Sequence, residues 1–358
     1  MQEISFESLP EFDNHKLITF LSDQSVGLKA FVAIHNDTIG PAMGGTRMWQ
    51  FASETEALRD ALNLSKAMTY KCAMAGVKFG GGKGVIIADP KSKNKIDLLR
   101  SYVRLVGDYF GPRFRTGTDV GITDEDIQAV SDNNQYLVGV LDNRLFRRQS
   151  DKLSTSKIAA LGVLYGIRGV FDNAFGDTNL ENRRFAIKGL GKTGSELTRL
   201  IIDAGGEVVA ADVDEAKVAK ITKELPSVRI VTPEKIHSEK VDVFCPCALG
   251  CDFDDVTVKE LRCKFIVGAA NNQLATSSAG DSIWKAGILY APDYVVNSGG
   301  LINVADELEP DGYHKDRVLA RTRAIKQTVE RIVERAKKQN QSTHRIADQM
   351  AEEIFKGK

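Results

Sequence analysis

The sequence predicts an α/β protein of two domains, the second a doubly wound parallel sheet. Three observations carry this. The 358 residues amount to about two domains at roughly 150 residues each. From Arg183-Arg184 onwards the pattern runs strand, glycine turn, helix, strand, as the opening of a βαβ unit does. Further strand-like runs, Val208 to Ala211, Val241 to Phe244 and Phe265 to Gly268, then alternate with helical segments, as a parallel sheet requires. The periodicity breaks at about Leu141 to Ser150. The predicted first domain is therefore 1–140 and the second 141–340, with 341–358 returning to the first.

Element by element, Ser53 and Glu56 form a capping box for an amphipathic helix from Glu54 to Met68. Thr69-Tyr70-Lys71 then leads to a glycine-rich turn, Phe79 to Gly84, and a strand, Val85 to Ala88, closed by Asp89-Pro90. A second helix spans Asp97 to Tyr109 and ends near Gly111-Pro112. An apolar helix from Ser156 to Phe171 precedes the βαβ unit, and a long amphipathic helix from Val318 leads towards the carboxyl terminus.

Composition excludes several classes. Hydrophobic residues at 42 % and charged residues at 27 % specify a packed core rather than disorder. Forty-eight basic residues balance forty-eight acidic ones, so no global field gathers nucleic acid or an anionic membrane. Met1 to Phe12 carries Glu3, Glu7 and Glu11 and does not read as a secretory signal, and the apolar runs read as strands rather than membrane spans. A cytoplasmic protein is expected. Five cysteines, an odd number in a large chain, argue for reduced thiols. Cys245, Cys247 and Cys251 read as buried thiols near a strand end, since no second ligand cluster with zinc spacing occurs and no metal site is expected. Trp49 and Trp284 read as packing residues.

The most specific motif is Gly189-Leu190-Gly191-Lys192-Thr193-Gly194, set between the strand Arg184 to Lys188 and a helix from Ser195 to Ala204. Gly189 permits a tight turn, Gly191 lets backbone approach a pyrophosphate, and Gly194 lets helix and strand pack closely. Asp212 follows about 20 residues on, where its carboxylate can accept from ribose hydroxyls and would repel a 2′-phosphate. This is a Rossmann-type site favouring NAD over NADP. A nucleoside-triphosphate loop is excluded at Ala186, where that motif needs glycine.

In the first domain Lys71 and Lys83 flank the glycine-rich segment, and Asp119 lies in Thr116-Gly117-Thr118-Asp119. If the fold brings the two ammonium groups together, each disfavours the other's charge. One lysine could then act as a base while the other holds a carboxylate. The same residues also suit a solvated surface, and spacing does not choose between the two.

Gly40 to Arg47, Met68 to Lys71, Gly80 to Lys83, Gly268 to Leu274, Tyr290 to Tyr294 and Asn303 to Glu307 together resemble the Glu/Leu/Phe/Val dehydrogenase family. The resemblance covers nearly the whole chain and is strongest to the leucine and phenylalanine dehydrogenases. It implies an N-terminal substrate and oligomerisation domain, a homo-oligomer, and reversible NAD-dependent deamination of an L-amino acid to a 2-oxo acid and ammonia. It further implies that Lys71 binds the substrate carboxylate, Lys83 activates the water that attacks the imine, Asp119 shuttles protons, and Asn272 positions substrate and nicotinamide. The implied pocket is Met43, Gly44, Met68, Gly117, Leu301 and Val304, all apolar or small, with no basic residue for a glutamate side chain. Leucine, valine or isoleucine fits, and Gly117 leaves room for phenylalanine. One departure stands out: Ala159 replaces a threonine that in the family binds the nicotinamide amide, leaving Thr155 or Ser156 as substitutes. A non-catalytic dinucleotide-binding protein is the rival reading, and the presence of Lys71, Lys83 and Asp119 argues against it.

Overall fold

The computed structural model describes residues 6–131, 136–139, 152–248 and 250–357. They form two compact units: Met1–Asp151 with Glu307–Tyr313 and Ala351–Lys358, and Lys152–Asp306 with His314–Met350. The expected boundary segment, Leu141 to Ser150, lies outside the described residues.

The first unit is built on a mixed sheet. Its strands are β1 (Leu17–Asp23), β2 (Leu28–Asn36), β3 (Ala42–Met43), β4 (Thr46–Trp49), β5 (Gly80–Ile87) and β6 (Phe114–Arg115). The order is β1-β2-β5-β3-β6, with β4 also pairing β5. Strand β2 alternates between two cores, as the period of two demands. Phe31 and Ala33 pack with Leu58 and Leu62 of α1 (Glu54–Ala75), while Val32 and Ile34 pack with Leu99, Val103 and Val106 of α2 (Lys95–Phe110). Ser53 caps α1 as expected, accepting from the Glu56 N–H at 3.1 Å. The helix α3 (Asp124–Val130) begins at a capping box between Thr123 and Asp126.

Two expectations are corrected here. The segment expected as a glycine turn, Gly80 to Gly84, is the first half of β5, and none of its glycines has a positive φ. They are glycines because neighbours occupy the space of a side chain. A Cβ at Gly81 would overlap Thr69 of α1, one at Gly82 would meet the Phe114 ring at 2.8 Å, and one at Gly84 would overlap the Tyr102 hydroxyl. Helix α1 also continues past Met68, so Lys71 lies inside it rather than beyond it.

The second unit carries a parallel sheet ordered β12-β11-β10-β7-β8-β9. In chain order its elements are α4 (Thr155–Phe175), β7 (Arg184–Lys188), α5 (Lys192–Asp203), β8 (Glu207–Ala211), α6 (Glu215–Glu224), β9 (Arg229–Ile230) and β10 (Val243–Pro246). There follow α7 (Thr257–Glu260), β11 (Phe265–Ile266), α8 (Ser277–Lys285), β12 (Leu289–Tyr290), α9 (Asp293–Val296) and α10 (Gly299–Ala305). The strands sit deep in the unit, with Phe185, Ala186, Ile187, Val243 and Phe244 all buried. Helix α4 is long and apolar enough to cross a membrane by length and composition. Its Ile158, Val163, Leu164, Ile167 and Phe171 are instead packed into the core.

The expected long C-terminal helix is three: α11 (Lys315–Arg323), α12 (Ile325–Gln339) and α13 (Thr343–Lys356). Asn340 adopts a left-handed conformation at φ 51° and ends α12. Cys245 is buried in β10, but Cys251 is exposed with φ 61°, and its N–H donates to the Asn272 carbonyl at 2.7 Å. Among the described residues no group of three or more His, Cys, Asp or Glu side chains could hold a metal ion.

The glycines of β5 yield a stability prediction. Gly84→Ala must displace the buried Tyr102 ring, and such overpacking costs about 1–3 kcal/mol. Tyr102→Phe removes the overlapped oxygen, so it should return part of that loss in the double variant. Urea unfolding of both variants checks this. A Gly84→Ala protein as stable as the parent would refute the packing explanation.

Candidate active site

Lys83 lies in the middle of β5, its side chain only 6 % exposed. Strand alternation places it on the same face as Gly81, the face covered by α1. Its Nζ is 2.9 Å from Asp119 Oδ2, and Arg47 Nε of β4 donates to that same oxygen at 3.0 Å. Arg47 also reaches both oxygens of Asp60 on α1, at 3.0 and 2.9 Å. Two cations and two carboxylates thus form one partly buried chain.

Burial pushes the Lys83 amine below its ordinary value; Asp119 opposes the shift, and Arg47 adds to it. Burial would raise Asp119, but Lys83 and Arg47 outweigh it and hold the carboxyl below the usual range. Asp60 is raised by burial, against the pull of Arg47. Arg47 is thus a cation set against Lys83. Sequence reasoning missed Arg47 and Asp60 as members of the site. Their signal was the alternation of β4 and the helical spacing from Asp60 through Leu64 to Met68 and Lys71, which puts these residues on one face of α1.

An apolar wall adjoins this chain. Met43 is buried at the end of β3, and the Met68 side chain stands 3.3 Å from where a Gly44 Cβ would lie. A Gly44 Cβ would overlap the Gly82 carbonyl, so glycine is obligatory there. Gly117 is buried, and its missing side chain is replaced by the Val138 backbone, whose oxygen would lie 2.6 Å from a Cβ. Close chain crossing accounts for that glycine. Sequence reasoning also missed Arg115, which pairs with Met43 in the parallel register of β6 and β3.

In the second unit the turn from β7 to α5 has the expected form. Gly189 has φ 102°, and a Cβ on it would meet Ala248 N at 2.7 Å. A Cβ on Gly194 would overlap the Gly189 carbonyl, whereas one on Gly191 would meet nothing within 4 Å. Gly191 caps α5 with no side-chain hydrogen bond, so the helix N–H groups face open space. Beside it lies a groove of about 360 Å³ lined by Ser156, Leu190, Gly191, Lys192, Ser195, Lys217 and Lys220, among others. Free N–H groups and lysines suit a pyrophosphate. Thr193 lies in the first turn of α5.

Asp212 follows β8, with its side chain only 7 % exposed. Its Oδ2 accepts from the Leu190 N–H at 2.6 Å and its Oδ1 from the Asp214 N–H at 2.8 Å, with Lys217 Nζ 3.8 Å away. Each oxygen keeps a lone pair for a ribose hydroxyl. The carboxylate also ties the glycine turn to the end of β8, a role that spacing alone did not reveal.

Asn272 is exposed at φ 52°. Its loop is held by Gln273, which donates to the carbonyls of Gly268 and Ala270 at 3.0 and 2.9 Å, and by Asn297, which donates to Asn271 Oδ1 at 2.8 Å. Leu301 and Val304 lie one turn apart on α10, both half-buried. Ala159 packs at the start of that helix, its Cα 3.2 Å from where a Gly299 Cβ would lie. Of the two candidate substitutes for the missing threonine, Thr155 receives the Asn303 amide at 3.4 Å. Ser156 lines the groove.

Comparison with known proteins agrees over nearly the whole chain. The family model for the Glu/Leu/Phe/Val dehydrogenase dimerisation domain matches residues 17–136, and that for the Glutamate/Leucine/Phenylalanine/Valine dehydrogenases matches 211–354. The phenylalanine dehydrogenase of Thermoactinomyces intermedius is 43 % identical, spanning 98 % of this chain and 94 % of that protein. The leucine dehydrogenase of Bacillus subtilis (strain 168) is 39 % identical over 97 % of this chain and 93 % of its own length. The crystal structure of L-tryptophan dehydrogenase from Nostoc punctiforme superposes with a TM-score of 0.81 at 37 % identity, covering 96 % of each chain.

The two glycines of the turn should separate on substitution. Gly191→Ala should leave the thermal midpoint near that of the parent and weaken NADH binding about tenfold or more, whereas Gly194→Ala should lower the midpoint by several degrees, roughly the effect of 1–3 kcal/mol. Fluorescence titration with NADH and thermal melts measure both. Equal melting losses in the two variants would contradict the assignment of Gly191 to a ligand.

Proposed function

The chain belongs to the Glu/Leu/Phe/Val dehydrogenase family, and we propose that it catalyses reversible, NAD-dependent oxidative deamination of an apolar L-amino acid, aliphatic or aromatic, to the 2-oxo acid and ammonia. The observation that carries this reading is the Lys83–Asp119 pair at 2.9 Å, adjoining the apolar Met43, Gly44 and Met68.

Lys71, in the last turns of α1, binds the substrate α-carboxylate as a point cation. Lys83, whose amine is depressed by burial, takes a proton from the water that attacks the imine carbon. Asp119 carries that proton to the departing ammonia. Arg47 holds Asp119 ionised and in place through its hydrogen bond at 3.0 Å. Asn272 positions the substrate and the nicotinamide, and Leu301 and Val304 contribute apolar lining by family likeness. Gly189, Leu190, Gly191, Lys192, Thr193 and Gly194 hold the pyrophosphate, and Asp212 the adenosine ribose. The bound dinucleotide supplies the hydride acceptor. Asp212 and Asp214 stand together at the end of β8 against the single Lys217, and this favours NAD over NADP. Five free cysteines suit a reducing compartment, and we place the enzyme in the cytoplasm as a homo-oligomer through its dimerisation domain.

The test is NADH and NADPH consumption with ammonia and a panel of 2-oxo acids. Apolar 2-oxo acids should be reduced, with NADH the more efficient donor. Preference for 2-oxoglutarate or for NADPH would count against the reading. Lys83→Ala should lower kcat by about 100-fold or more, as loss of a general base does. Lys71→Ala should mainly raise KM. An unchanged kcat in Lys83→Ala, with NADH binding intact, would reject the assignment of the base.

A further inference from the structure

Arg115 is the one cation of β6, and nothing in the proposed reaction uses it. Its orientation follows from its neighbour. The Phe114 ring lies 2.8 Å from the Cβ position of Gly82, on the sheet face opposite Gly81 and Lys83, so Arg115 projects onto the Lys83 face. There it is in register with Met43 and, through β3, with Gly81. Its guanidinium sits 5.1 Å from the centre of the Tyr136 ring. One guanidinium nitrogen, Nη1, is buried without a hydrogen-bond partner, and among the described residues no carboxylate pairs with the side chain.

A half-buried guanidinium with one nitrogen unpartnered and one aromatic ring beside it is suited to a further π partner. An isobutyl side chain laid against it would complete its desolvation and return only dispersion, whereas an aromatic ring offers its π face to the cation. Met43, beside Arg115 in the sheet, supplies a soft thioether edge that also suits an aromatic ring.

We propose that Arg115 is a specificity-determining residue that forms the end wall of the side-chain pocket and selects an aromatic 2-oxo acid over a branched aliphatic one. This rests on the dehydrogenase reading and narrows its substrate class. The discriminating contact is a ring of the substrate against the Arg115 guanidinium.

The experiment measures kcat/KM with NADH and ammonia for phenylpyruvate, 4-methyl-2-oxopentanoate and 2-oxoglutarate, in the parent chain and in Arg115→Leu and Arg115→Lys. The parent should favour phenylpyruvate over 4-methyl-2-oxopentanoate. In Arg115→Leu that ratio should fall about 3- to 30-fold, the range of a cation–π contact, while turnover of the aliphatic acid persists. Arg115→Lys keeps the charge without the planar face and should also lower the ratio, so it decides the matter if the leucine variant does not fold. A parent that favours the aliphatic acid, or a ratio unchanged in either folded variant, overturns the proposal and leaves the dehydrogenase reading standing. Preference for 2-oxoglutarate, or no turnover with any 2-oxo acid, overturns the reading and the proposal together.

Discussion

A lysine held inside a β-strand is the constraint on which the first unit turns. Removing an ammonium from water costs several kcal/mol unless a counter-charge and hydrogen bonds accompany it. For Lys83 they come from Asp119 and, one step out, from Arg47 and Asp60. The chain also passes close to itself along this strand, and the glycines at 44, 81, 82 and 84 are where it does so. The strand that carries Lys83 is thin because Thr69 on one face, and Phe114 and Tyr102 on the other, crowd against it.

The second unit solves a simpler problem. A parallel sheet delivers the end of β7 to the start of α5, and the three glycines of the turn divide the work. Gly189 supplies the left-handed turn, Gly194 the close packing, and Gly191 the open approach. Asp212 fixes the turn through the Leu190 N–H while keeping lone pairs for a ligand. Two lysines of the groove, Lys217 and Lys220, lie on α6, the helix after β8, so the β7–α5–β8 unit and the helix that follows it bring backbone donors, positive charge and a carboxylate together.

Much of this was legible in the sequence. The class, the βαβ unit, the Ser53 cap and the helices beginning near Glu54 and Lys95 follow from local patterns that tertiary packing does not override. The glycine segment before Lys83 was misread because glycine in a turn and glycine under a crossing helix look alike in one dimension, and only the positions of Thr69, Tyr102 and Phe114 separate them. The single C-terminal helix became three because it breaks twice, at Ala324 between α11 and α12 and at the left-handed Asn340 after α12. Arg47, Asp60 and Arg115 went unnoticed for a shared reason: each joins the site across the sheet or from the helix above it, and sequence spacing carries no record of which strands are neighbours.

The central claim is that burial depresses the Lys83 amine enough for it to serve as a base, and that Arg47, set against it through Asp119, adds to that shift. The most direct measurement is the pH dependence of kcat/KM in the parent and in Arg47→Met. Lys83 must lose its proton to act, so activity rises with pH through its titration. Removing Arg47 deletes a cation that depresses the amine and leaves Asp119 and Asp60 to raise it. The account predicts that the rising limb moves to higher pH in Arg47→Met. A limb that stays in place, or moves to lower pH, would contradict it.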